Sequence, residues 1–148
     1  MLMDLLLGVG MMSLCLLMQT FILVKALRYY VRQGNPGTKP STWSTLLIIN
    51  SVMTLLVIGN LAQIALWALL FVMLREFDTF AAAAYHSAVN FATLGYGDVV
   101  MSEENRFLGP MEAINGVLMV GVSTAALMAT FQHAIKSTIS ARSRASKR

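Results

Sequence analysis

Glycine alternates with large side chains in Thr93-Leu94-Gly95-Tyr96-Gly97-Asp98. Glycine lacks the Cβ that excludes most residues from left-handed backbone. Such a segment can turn consecutive C=O groups toward one axis. The side chains of Leu94 and Tyr96 would then point away, into supporting packing. Carbonyl oxygens aimed at an axis could serve as ligands for a cation. Thr93 adds a hydroxyl at the inner end, and Asp98 follows at the outer end. An ordinary glycine turn between two helices is the plainer reading of the same letters. Context separates the two.

The rest of the chain supplies that context. Of its 148 residues, 57% are hydrophobic and only 12% charged, and its mean hydropathy is +0.67. A soluble domain of this size needs more polar surface. Stretches 5–27, 46–74 and 107–131 are apolar and long enough to cross a bilayer, which takes about 20 helical residues. Stretch 80–92 is too short to cross and predicts a re-entrant helix. The opening Met-Leu-Met-Asp has no basic lead, so the first stretch predicts a retained span and not a signal peptide. The expected fold is all-α and membrane-embedded, with three spans and one re-entrant helix.

Charge predicts orientation. Lys25, Arg28, Arg32 and Lys39 lie between the first two spans, and Lys136, Arg142, Arg144, Lys147 and Arg148 follow the third. Neither group contains an acid. Asp4, Glu76, Asp78, Asp98, Glu103, Glu104 and Glu112 all lie elsewhere. The positive-inside rule then predicts a cytoplasmic 28–42 loop and C-terminus, with the N-terminus and the 99–106 loop outside. The net charge of +4 thus reports orientation, and no nucleic-acid partner is expected. Tyr29, Tyr30 and Trp43 suit the membrane interface. Gly34-Asn35-Pro36-Gly37 has strong turn chemistry, and the Ser/Ala/Lys/Arg-rich tail after His133 predicts fraying.

Residues 93–98 match TVGYGD, the filter signature of potassium channels, at every position but Leu94. That family is the reference case for carbonyl-cage physics. From 43 to 133 the chain resembles its pore module: outer helix, pore helix, filter, inner helix. Gly116 and Gly121 stand where those channels carry hinge glycines, and Thr124-Ala125-Ala126-Leu127 resembles the stretch below them. Asn90 replaces the first threonine of the family's T-x-x-T-x-G-Y-G and Leu94 replaces valine, so packing behind the filter must differ. Val89 stands where some members carry an acid, and Tyr85 where a tryptophan is common. The Tyr85 hydroxyl is expected to bond Asp98.

The resemblance implies passive cation conduction, selective for potassium, by a small single-filter channel of the kind found in bacterial inner membranes. Its ion ligands would be Thr93, Leu94, Gly95, Tyr96 and Gly97, with the carbonyls of 93–96 contacting potassium. Filter support would come from Tyr85, Asn90, Asp98 and Glu112. One filter cannot enclose an axis, so a homotetramer in lipid is expected. No cofactor is expected besides the permeant ion. The implied organisation is an extra helix and basic loop (1–42), a pore domain (43–133) and a basic tail (134–148). A weakly selective cation channel and a non-conducting partner subunit of another channel are the alternatives. An enzyme is not expected, since His86, His133 and Cys15 form no nucleophile–base or metal set.

Several residues admit two readings. Glu112, one turn into the third span, either supports the filter, with Asn115, Asn60 or Gln63 as partners, or is an interfacial acid at a helix N-terminus. Asn60, Gln63 and Trp67 share one helical face and read as helix–helix glue more readily than as a ligand site. Lys25, Arg28 and Arg32 also share a face. They suit anchoring on anionic lipid better than voltage sensing, which needs charges within the membrane. His133 reads as a solvated interfacial residue or a proton-sensitive gate, and His86 as packed or hydrogen-bonded at the outer surface. Gly116 and Gly121 are hinges or sites of close helix approach. Cys15 and the methionines read as packing residues.

Overall fold

The computed structural model describes residues 2–33 and 42–146, all organised around four helices. In chain order these are α1 (Leu2–Gln33), α2 (Thr42–Met73), α3 (Phe80–Phe91) and α4 (Leu108–Ser146). Among the described residues three helices are long and apolar enough to cross a membrane: Leu2–Ala26, Ile49–Met73 and Leu108–Gln132. The short helix between the last two is α3, with 12 residues. The all-helical membrane fold therefore has the order of a pore domain. The turn expected at 34–37 and Lys39 lie outside the described residues. So do the side chains of Arg32, His133 and the basic tail.

Two boundaries differ from the sequence expectation. α1 begins at Leu2, because nothing in Leu2 to Leu5 breaks a helix. α4 does not fray after His133 but continues to Ser146, in keeping with the high helix propensity of its Ala, Lys and Arg residues. α3 begins where expected because Thr79 caps it. The Thr79 side chain accepts from the Ala82 amide at 3.2 Å.

α3 packs on α2 and α4, whereas α1 packs on α2 and α4 from elsewhere and makes no comparable contact with α3. Two apolar clusters result. Cys15, Trp67, Ala68, Phe71, Ala83, Met101, Leu108 and Met111 surround the end that carries α3. Ala26, Val52, Leu56 and Ala126 form a smaller cluster toward the other end. Helices in lipid gain little from apolar contact alone, so buried polar pairs are needed to fix their register. Gln63 provides one, donating to Gln19 of α1 at 2.9 Å. Asn115 of α4 in turn donates to Gln63 at 3.4 Å. Of the Asn60–Gln63–Trp67 face, Gln63 is the helix–helix glue, and Trp67 is wholly buried against Phe71.

Candidate functional site

The segment after α3 has an unusual backbone. Thr93, Gly95 and Gly97 have φ of 57°, 60° and 73°, while Leu94 and Tyr96 between them are not left-handed. Glycine adopts such values freely, and the absence of any atom within 4 Å of a Cβ built on Gly95 or Gly97 leaves φ as the reason for both glycines. Thr93 is different. A β-branched residue at positive φ is a genuine outlier and stores strain. The glycines signalled their own conformation, but nothing in the sequence signalled that of Thr93.

All of residues 93–98 are exposed in the single chain. Leu94 is 55% and Tyr96 65% exposed, so their expected supporting packing does not come from their own chain. The reason is geometric: α2 and α4 cover α3 but leave this segment on an open face.

Two adjacent α3 side chains suspend the outer end of the segment. The Tyr85 hydroxyl donates to Asp98 at 2.7 Å, as the sequence reading expected. His86 Nδ1 lies 2.8 Å from the Val99 carbonyl, and Asn90 Nδ2 lies 2.8 Å from His86 Nε2. The Val99 carbonyl can only accept and the Asn90 amide nitrogen can only donate. His86 thus links the Val99 carbonyl to Asn90. Its ring packs against both Phe71 and Phe77, at 5.7 and 5.0 Å. His86 is thus packed and hydrogen-bonded, as expected, and is buried beside the segment. Asn90 acts through His86, one turn away, and its amide also lies against Gly109 at the start of α4.

Glu112 is wholly buried, not interfacial. Its partner is none of Asn115, Asn60 or Gln63 but Ser87 of α3, whose hydroxyl also meets the Ile64 carbonyl of α2 at 2.9 Å. Glu112 therefore joins α2, α3 and α4 at one point, and its Oε2 has no further partner. Gln63 and Asn115 are engaged with each other, and Asn60 Oδ1 is without a partner. The two candidate glycines also separate. A Cβ on Gly116 would collide with the Phe91 carbonyl at the end of α3, so Gly116 is a site of close approach. A Cβ on Gly121 meets nothing within 4 Å.

One feature went unread in the sequence. Glu76, at the corner between α2 and α3, accepts from the Ser102 amide and hydroxyl, both at 2.7 Å, and from Asn105 Nδ2 at 2.6 Å. It thereby clasps the loop after residue 98. Partial burial opposes its charge, but the bonds from Asn105 and Ser102 outweigh it and hold the carboxyl below its ordinary range. A depressed folded-state pKa stabilises above the unfolded value and is lost as pH falls through the folded one. Wild type is therefore expected to melt higher than Glu76→Gln at neutral pH. That gap should close as pH drops below the ordinary carboxylate range, and a gap independent of pH would exclude the clasp.

Residues 56–133, which include α3, the 93–98 segment, most of α2 and the spanning part of α4, match the model of a family described as ion channel. No curated protein and no solved structure matches the chain. The matched region is more than half of the sequence, so this chain belongs to the ion channel family and is a membrane channel protein, not an enzyme.

Proposed function

We propose that the chain forms a homotetrameric, potassium-selective channel whose filter is 93–98. The observation that carries this reading is the left-handed backbone at Thr93, Gly95 and Gly97 and not at the residues between. Left-handed residues at alternate positions let successive carbonyls turn toward one side of the chain. The carbonyls of Thr93, Leu94, Gly95 and Tyr96 then replace the ion's hydration, and four chains complete the cage. Exposure of Leu94 and Tyr96 supports the tetramer, since neighbouring copies would supply the packing their own chain lacks. Tyr85, Asn90 with His86, Asp98 and Glu112 hold the filter in place. Asp98, Asp78, Glu103 and Glu104 raise the cation concentration at its mouth. Residues 43–133 are the pore domain, 1–42 an added helix with its loop, and 134–148 a basic tail.

The test is ion flux from proteoliposomes under opposed potassium and sodium gradients. The reversal potential is expected to follow potassium. Equal sodium permeation would reduce the reading to a weakly selective cation pore, and no flux would favour a partner subunit.

Orientation has its own test. The two acid-free basic segments belong in the cytoplasm by the positive-inside rule, with the filter mouth outside. In intact cells, a cysteine at Glu103, an exposed site outside the Glu76 clasp, is expected to react with an impermeant thiol reagent. A cysteine at Gly37 is expected to be protected. Cys15 is wholly buried and gives a silent background. The opposite labelling pattern would invert the topology.

A further inference from the structure

Four polar side chains form one continuous relay between the spans. Asn115 Nδ2 donates to Gln63 Oε1 at 3.4 Å, and Gln63 Nε2 to Gln19 Oε1 at 2.9 Å. Gln19 Nε2 donates to Ser123 Oγ at 3.3 Å. The relay leaves α4 at Asn115, crosses α2 and α1, and returns to α4 at Ser123. Gly121 lies between its two ends. Gln19, Gln63 and Asn115 are each 1% exposed or less.

Between those anchor points α4 is locally weak. Glycine in a helix interior lowers helix stability. No close neighbour explains Gly121, in contrast to Gly116. Thr124 Oγ1 also turns back to the Val120 carbonyl at 2.9 Å, a bond that brackets Gly121 and belongs to a type that bends helices. Beyond Gly121, α4 also rests Ala126 and Leu127 in an apolar cluster with Ala26, Val52 and Leu56. Lipid tails can replace such apolar contacts at little cost. They cannot replace the bond that Ser123 receives from Gln19.

We infer that Gln19 is a positioning residue that ties the far half of α4 to α1 and so holds the helix in one shape across Gly121. The consequence for gating rests on the proposed conduction. α1, outside the region that matches the family, then sets how readily the inner helix bends. Gln19 serves this role because Gly59 brings α2 close to it. A Cβ on Gly59 would come within 3.0 Å of Gln19 Oε1.

The decisive variant is Ser123→Ala, which removes only the last bond of the relay and leaves Gln19 on Gln63. Spin labels at exposed Val57 of α2 and exposed Met128 of α4 report the far half of α4, in labelled protein diluted with unlabelled chains. A second pair, Val57 with exposed Val117, reports the near half. Ser123→Ala is expected to broaden the Met128 distance distribution and leave that of Val117 unchanged. In single-channel recordings the open-to-closed ratio is expected to change about threefold to tenfold, the range for one interhelical hydrogen bond in a membrane. The potassium-to-sodium ratio should stay the same. Gln19→Leu should act in the same direction, and the double variant should add little to either. An unchanged Met128 distribution in Ser123→Ala would overturn the inference. If wild type passes no ions, the conduction reading fails, and the spin-label distances still decide whether Gln19 holds α4.

Discussion

Gly95→Ala is expected to abolish potassium-selective flux. Gly95 has φ of 60°, and a Cβ there meets no atom within 4 Å, so the effect is conformational and not a collision. An L-residue in left-handed backbone costs roughly 1–2 kcal/mol. Relaxing that strain swings the peptide group and takes its carbonyl off the axis. In the proposed tetramer the fault occurs four times around one ion path. Thr93, two residues earlier, is already held at positive φ against its β-branched side chain, so the segment has little tolerance for another strained residue. Gly10→Ala is the matched control. Gly10 also has open space around it, but it lies within α1, where alanine is favoured. Reversal potentials of both variants under opposed potassium and sodium gradients decide the matter. Gly10→Ala should behave as wild type. Selective conduction by Gly95→Ala would remove 93–98 as the filter.

What the sequence made legible was whatever depends on one stretch of chain. The three spans and the short α3 followed from length and hydropathy. Gly95 and Gly97 announced their backbone because only glycine adopts it freely. Tyr85 to Asp98 was also within reach, since the two lie at either end of one short helix–loop unit. Contacts between distant elements were not legible. Glu112 offered several polar partners by depth in the membrane, and which one it meets depends on how α4 rotates against α3. Rotation brings Ser87 to Glu112 and turns Asn115 toward Gln63 instead. Glu76 looked like any corner acid until the 99–106 loop folded back over it. His86 was expected to be packed or hydrogen-bonded, but nothing local shows that its neighbours are Phe71 and Phe77.

Glu112→Ala should loosen the filter support far more than Glu112→Gln. Ser87 has one hydroxyl proton and two oxygens facing it, Ile64 O and Glu112 Oε1. The Ile64 carbonyl can only accept. A glutamine amide can donate to the Ser87 oxygen while Ser87 donates to Ile64, and its carbonyl can take the place of the unpartnered Oε2. Gln therefore keeps the junction of α2, α3 and α4 with the same volume. Alanine removes the bond and leaves a cavity beside a half-satisfied serine. The loss is on the order of 2–4 kcal/mol per chain from the cavity and the lost bond together. Because Ser87 lies on α3, which leads into the proposed filter, the loss should also be felt as faster decay of current. Thermal dissociation of the purified assembly at several potassium concentrations gives the comparison. Wild type and Glu112→Gln should melt together and gain equally from potassium, while Glu112→Ala melts lower and gains less. If Gln falls as far as Ala, the site needs the carboxylate charge and not the bond to Ser87. Three matching curves would mean that the buried acid contributes nothing to holding α3.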